Sequence, residues 1–209
     1  IMEDKKLNER ESIELITAMI SRTNERYFGD GNIYLVWGYV TLVVASSVWL
    51  LLTLTHNPAW NWLWFLIWII GGISTPVMAR KQQGKYGVKT YSDKLINRIW
   101  TVVGISGIAC TAACLAFTLI KGINCWSVML LFALVIIPVI EIAQGVILEE
   151  KSFVAGGAIG LSAGIITGCC IAGGVPLYTY WYMPMFILAF VSMMIIPGHV
   201  LNHKARNKK

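Results

Sequence analysis

Long stretches without charged side chains limit most strongly what this chain can fold into. No Asp, Glu, Lys or Arg occurs in residues 31–79, 99–120, 122–140 and 152–203. Each stretch can hold at least one helix of about 20 apolar residues, the length that crosses the hydrocarbon core of a bilayer. Charged residues make up 13% of the chain, compared with about 25% in an ordinary soluble domain. The sequence therefore favours a membrane protein over a soluble fold.

Turn residues divide the two longest of these stretches. Thr55-His56-Asn57-Pro58 interrupts the first, and Gly173-Gly174-Val175-Pro176 interrupts the last. The pattern predicts an all-α integral membrane protein with six transmembrane helices arranged as three hairpins. The predicted spans are 33–54, 60–79, 98–120, 126–148, 152–172 and 182–200. They form a bundle over residues 31–200, between a segment at 1–30 and a basic tail at 201–209.

The positions of Lys and Arg predict how the bundle is oriented. These residues are retained on the cytoplasmic side during insertion, whereas acidic residues have little influence. With six spans, all of the 17 Lys and Arg residues except Lys121 fall on one side. We therefore expect both termini in the cytoplasm. The net charge of +6 then indicates contact with anionic lipid headgroups, with no direct binding of nucleic acid.

The segment before the first span is predicted to be an amphipathic cytoplasmic helix. Asn8 is a suitable N-cap, and Glu11 completes a capping box. Ile13, Ile16 and Ile20 then fall on one face. Two interpretations of this face remain open: it lies on the membrane or beneath the bundle, or it docks a cytoplasmic regulatory protein.

Three short stretches near the N-terminus carry a family resemblance. They are Glu11-Ser12-Ile13-Glu14-Leu15-Ile16, Arg26-Tyr27-Phe28 and Tyr34-Leu35-Val36-Trp37-Gly38. Together they resemble the opening of an uncharacterised family of small bacterial inner-membrane proteins, over about the first fifth of the chain. Members of that family are often encoded beside small winged-helix regulators. The resemblance implies a location in the inner (cytoplasmic) membrane of a cell, a regulatory or signalling role, and no catalytic residues.

Four glycines in the fifth predicted span follow one another at four-residue intervals. They are Gly156, Gly160, Gly164 and Gly168, and we call them the glycine stripe. Four residues is slightly more than one helical turn, so the stripe lies along one side of the helix. Small residues let membrane helices approach closely, which predicts helix packing here. The partner is either the row Ser106, Cys110 and Cys114 of the third span or the same helix in a second copy of the chain, a homo-oligomer.

Glu141 is an acidic residue well inside a predicted span. Pro138 and Gln144 lie three residues before and after it and share its face. A charged residue at the centre of a membrane helix costs roughly 2.5–3.5 kcal/mol on insertion scales, so such residues face the bundle and often serve ion or proton pathways. Two interpretations remain open: a structural hydrogen bond to a neighbouring helix, or a binding or coupling site formed by Glu141, Gln144 and Pro138.

His199 and His203 stand one turn apart at the inner end of the last span, where both imidazoles can reach one metal ion. Zinc requires three or four ligands, and the candidates for a third are Glu141, Glu149 and Glu150. The alternative is a pair of solvated histidines. The five cysteines are expected to be packing residues, since their spacing suggests no disulfide framework.

Two functions follow from these patterns. One is a regulatory or sensory protein that presents the N-terminal helix, the basic loop 80–98 and the basic tail to a cytoplasmic partner. The alternative is a small-molecule or ion transporter or channel that uses Glu141. Trp62, Trp126 and Trp181 each precede a proline deeper in the membrane, a weak hairpin repeat compatible with transport. No catalytic motif is present, so neither an enzyme nor a cofactor is predicted.

Overall fold

The computed structural model describes residues 31–86 and 91–207, with residues 8, 13, 14 and 17, and it describes side chains in the two long ranges outside 82–93. Within these residues the chain is helical and contains no strand. Six helices are long and apolar enough to cross a membrane. The predicted all-α multi-pass membrane protein is therefore confirmed. The predicted N-terminal amphipathic helix lies, apart from scattered residues, outside the described part of the chain.

The six spans occupy nearly the positions that the charge-free stretches predict. They are α1 (Asn32–Thr55), α2 (Pro58–Lys81), α3 (Lys94–Lys121), α4 (Ser127–Ile147), α5 (Lys151–Ala172) and α6 (Thr179–Asn207). The helix of α2 continues to Tyr86, and that of α3 begins at Tyr91. The helix of α6 runs through Asn207, so most of the basic tail extends the last span.

Three spans contain a five-residue π-helical segment. These segments are Phe117–Lys121 in α3, Phe132–Ile136 in α4 and Val191–Ile195 in α6. The last two end just before Pro138 and Pro197, which have no backbone N–H to donate to the preceding turn. In α4 the amide of Ile137 donates instead to the carbonyl of Phe132, five residues back. The wider turn thus accommodates the proline without a sharp break.

Neighbouring spans in sequence are neighbours in the bundle. Each predicted hairpin is present, since α1 contacts α2, α3 contacts α4 and α5 contacts α6. The longest interface joins α4 to α5, and α6 also packs against α1. Trp68 of α2 lies over Gly107 of α3. The most buried span is α6 and the least buried is α2, so the core lies among α1, α4, α5 and α6.

The two ends of the bundle differ in chemistry. We call one the basic end, where described charged side chains gather: Arg80, Lys81, Lys94, Arg98, Glu149, Glu150, Lys151, Lys204 and Arg206. The other is the aromatic end, which carries Trp60, Trp62, Trp126, Tyr178, Tyr180 and Trp181. Interfacial Trp and Tyr are typical of a headgroup boundary. Assignment of the basic end to the cytoplasm remains a prediction.

Polar contacts tie the chain together at the basic end. The Lys204 ammonium donates to both carboxylate oxygens of Glu150, at 2.8 and 2.6 Å. The Asn202 amide donates to the Asn32 side-chain oxygen at 2.8 Å. Gly31 has φ of +69° and sits against the carbonyl of Gly198, where a side chain would overlap. The start of α1, the α4–α5 turn and the end of α6 are therefore joined.

Candidate functional site

Glu141 is completely buried in α4, with 0% of its surface exposed. Among the described residues, neither of its carboxyl oxygens has a hydrogen-bond partner. Buried polar groups are nearly always paired, because an unpaired one loses its hydration without compensation. An unpaired ionised carboxylate would cost far more than an unpaired neutral carboxyl. The packed arrangement therefore suits a carboxyl that carries its proton.

Gln144, one turn nearer the basic end, connects three spans. Its side-chain oxygen accepts a hydrogen bond of 2.7 Å from the indole N–H of Trp100 on α3. Its amide nitrogen donates to the hydroxyl of Tyr34 on α1. Gln144 is itself 3% exposed. A single amide side chain of α4 thus holds α1 and α3 at the same level.

Tyr34 packs beside this amide, one turn from Glu141. Its ring contacts the Trp100 ring edge-on at a centroid distance of 6.2 Å and the Phe153 ring edge-on at 5.0 Å. We call Tyr34, Trp100, Glu141 and Gln144 the Glu141 cluster. Sequence reasoning missed both aromatic members. Tyr34 belongs to the family resemblance, but nothing in its neighbourhood in the sequence indicates a contact with α4.

Pro138 shares the buried face of Glu141 and Gln144, as the spacing predicts. Its contribution to the site is packing, since it has no polar side-chain atoms. A methyl group added to Gly160 would lie 3.0 Å from the Pro138 ring, and one added to Gly157 would lie 2.9 Å from its carbonyl oxygen. The proline thus fits against the glycines of α5 and fixes the distance between the two helices.

The glycine stripe lies between α4 and α6. A side chain at Gly156 would overlap the backbone of Ser192 in α6, and one at Gly164 would overlap the carbonyl of Leu134 in α4. At Gly160 it would lie 2.8 Å from the sulfur of Met193. Gly168 has more room, with the nearest atom 3.5 Å away on Leu131.

These contacts correct the predicted partner of the stripe. The sequence suggested the small residues of the third span, Ser106, Cys110 and Cys114, or a second copy of the chain. The stripe instead contacts α4 and α6, because the proline-associated π segments bring their backbones against it. A second copy could use the same surface only if these contacts opened, so a homo-oligomer through the stripe stays an untested prediction.

His199 and His203 have separate neighbours. The ring nitrogen Nε2 of His199 lies 2.8 Å from the hydroxyl of Tyr39, and that of His203 lies 3.0 Å from the amide of Asn207. Glu150, a candidate third ligand, pairs with Lys204. Within the described ranges, no group of three or more His, Cys, Asp or Glu is arranged to hold a metal ion. The structure therefore does not bring a ligand set together here.

A very small cavity adjoins the Glu141 cluster. Its volume is about 10 Å³, and Trp100, Ile140 and Gln144 are among its lining residues. A cavity needs roughly 10–15 Å³ to hold one water molecule. The space beside Gln144 is therefore about the size of one water molecule.

The cluster has limited chemical abilities. Glu141 can release or accept a proton, and its carboxylate can pair with a small cation. No family model, curated protein or solved structure matches the chain.

Proposed function

We propose that this chain is a regulatory multi-pass protein of the inner membrane, in which Glu141 responds to a proton or small cation and the basic end binds a cytoplasmic partner. The observation that carries the proposal is the complete burial of Glu141 with both oxygens unpaired. Groups retained in such an unfavourable setting cluster at functional sites.

Ionisation of Glu141 would conflict with the packing around it. A charge at the centre of a membrane helix costs roughly 2.5–3.5 kcal/mol on insertion scales. The ionised side chain would therefore draw in water or a cation, or α4 would shift. Gln144 is one turn away and holds Trp100 and Tyr34, so such a shift would act directly on α1 and α3.

The α4–α5 turn offers a route from this cluster to the surface. It follows α4 directly, and its Glu150 pairs with Lys204 of α6. Movement of α4 would change the relative positions of the Lys and Arg side chains at the basic end. These side chains suit an acidic protein surface as well as anionic headgroups. The family resemblance near the N-terminus also supports a regulatory partner.

A transporter or channel that uses Glu141 is the second candidate. The π segments before Pro138 and Pro197 favour it, because interrupted helices often border the binding sites of transporters. The space beside Gln144 is about 10 Å³, so a substrate path there would require a second, more open conformation.

Two measurements separate these functions. In the first, the chain is purified from native membranes after mild cross-linking, and a soluble partner in stoichiometric amount is expected. Substitution of Lys204 and Arg206 by Gln should reduce its recovery. In the second, proteoliposomes with an imposed pH gradient are followed with an internal pH dye, and no protein-dependent proton flux is expected. A flux abolished by Glu141→Gln, without a soluble partner, would overturn regulation in favour of transport.

A further inference from the structure

Three cysteines meet near the aromatic end, where α3 turns into α4. Cys110 and Cys114 lie one turn apart on α3, and Cys125 lies in the connection to α4. The Cys114 thiol donates to the carbonyl of Cys125 at 3.5 Å, and the Cys125 thiol donates to the carbonyl of Cys114 at 3.8 Å. Cys110, Cys114 and Cys125 all line one pocket. All three are free thiols.

The turn between the spans produces this proximity. The π segment Phe117–Lys121 ends at Gly122, which has φ of +66°. The amide of Ile123 then donates back to the carbonyl of Phe117. The chain therefore folds back along the end of α3 and sets Cys125 beside Cys114. The two cysteines are eleven positions apart in the sequence, and their spacing predicted no disulfide.

The pair lies beside an accessible pocket. The pocket has a volume of about 280 Å³, and its lining residues include Cys110, Cys114, Phe117 and Cys125. Cys114 is buried, with 3% of its surface exposed, whereas Cys125 is partly exposed. A reagent that enters the pocket can therefore reach the partly exposed Cys125, and Cys114 lines the same pocket.

We propose that Cys114 and Cys125 form a thiol–disulfide exchange site for small organic disulfides. The Cys125 thiolate attacks one sulfur of the disulfide, whose S–S bond breaks and releases one thiolate. The Cys114 thiolate then attacks the Cys125 sulfur of the mixed disulfide and releases the second thiolate. The protein dithiol is oxidised to an intramolecular disulfide, and the organic disulfide is reduced to two thiols that take up the two protons.

The cross-link would alter how α3 is held. Among the described residues, α3 is attached to α4 near both ends, by the Trp100–Gln144 hydrogen bond and by the paired cysteines. A covalent bond at the aromatic end would join the two spans there. This site stands apart from Glu141, so its existence does not depend on the proposed function.

The test uses the full chain in detergent with oxidised glutathione as the probe. Intact mass should fall by two hydrogen atoms, two of the five thiols should become unreactive to a maleimide after denaturation, and a peptide map should join Cys114 to Cys125. Reduction with dithiothreitol should restore all five. Cys114→Ser should instead retain one glutathione on Cys125, because the second attack is lost. Cys169→Ser, on α5, serves as the matched control and should still form the cross-link.

Other outcomes would overturn the proposal. They are a wild-type protein that keeps five reactive thiols at excess oxidised glutathione, and a cross-link that joins Cys110 to Cys114 or Cys169 to Cys170. A thermal melt of each variant confirms that it is folded. Because the wild-type reaction alone decides whether the cross-link forms, the test does not depend on the stability of any variant.

Discussion

The indole N–H of Trp100 donates a hydrogen bond of 2.7 Å to the side-chain oxygen of Gln144, and this bond fixes the peripheral span α3 to α4 one turn from Glu141. A hydrogen bond between membrane helices contributes about 0.6 kcal/mol on average and up to about 1.7 kcal/mol. Since Gln144 also holds Tyr34, it is the point where the contacts of three spans meet.

Trp100→Phe should destabilise the protein by at least about 1 kcal/mol, because the indole N–H donor to Gln144 is lost together with one of the two indole rings. Thermal unfolding in one detergent measures the effect. The matched control is Trp62→Phe, since Trp62 is 60% exposed at the aromatic end, and its midpoint should be nearly unchanged. In the Gln144→Leu background, Trp100→Phe should cause a smaller loss of stability. Equal costs in both backgrounds would show that the bond contributes nothing.

Two substitutions along the glycine stripe should differ clearly in their effect on the stability of the protein. Gly164→Ala places a methyl group against the carbonyl of Leu134, whereas at Gly168 the nearest atom is 3.5 Å away. Overpacking of this kind costs about 1–3 kcal/mol, so Gly164→Ala should lower the stability of the protein. Gly168→Ala should be neutral or slightly stabilising, because Ala favours the helix by roughly 0.5–1 kcal/mol relative to Gly. Thermal midpoints of the two variants test this difference. Similar midpoints would contradict the packing of α5 against α4.

Lys204→Met should destabilise the basic end by about 1 kcal/mol, a modest value because the Lys204 side chain is 46% exposed. The substitution leaves the carboxyl of Glu150, which is 4% exposed, without its ammonium partner. Lys151→Met, in an exposed position at the start of α5, is the control. The double variant Glu150→Gln, Lys204→Met should recover part of the loss. No recovery would mean that the two side chains act independently.

The distribution of Lys and Arg predicts that Asn57 faces outward and Lys81 faces the cytoplasm. Single cysteines at these positions, in a cysteine-free background, can be labelled on intact cells with an impermeant maleimide. Position 57 should react and position 81 should react only after permeabilisation. The reverse labelling pattern would show that the bundle has the opposite orientation, with the basic end outside.

The fold could be predicted because its main determinant is local in the sequence. Helix positions follow from where charged residues are absent, and the burial of Glu141 follows from the cost of a charge in lipid. Pro138 is buried because it shares the face of Glu141. Contacts between distant residues could not be predicted. Gln144 and Tyr34 are 110 residues apart, and the partner of the glycine stripe depends on how the π segments of α4 and α6 bend toward it. Periodicity within one helix does not indicate which residues of another helix it contacts.

The cysteine pair illustrates the same limit at shorter range. Cys114 and Cys125 are separated by a turn whose course depends on Gly122 at φ of +66°. A Cys-x3-Cys pattern on α3 was visible in the sequence, but the third thiol joins it only because the connection folds back.

The most direct test of the central claim follows the Trp100 signal during a pH titration in nanodiscs. The protein carries fluorotryptophan, and Trp100→Phe identifies the Trp100 fluorine resonance among those of the nine tryptophans. Ionisation of Glu141 as the pH rises should disturb the Gln144–Trp100 contact. The wild-type resonance should therefore shift or split, as it should in Glu149→Gln, a matched change at an exposed carboxyl. Glu141→Gln should hold one resonance throughout, with its thermal midpoint retained. An identical titration in Glu141→Gln and wild type would contradict the account.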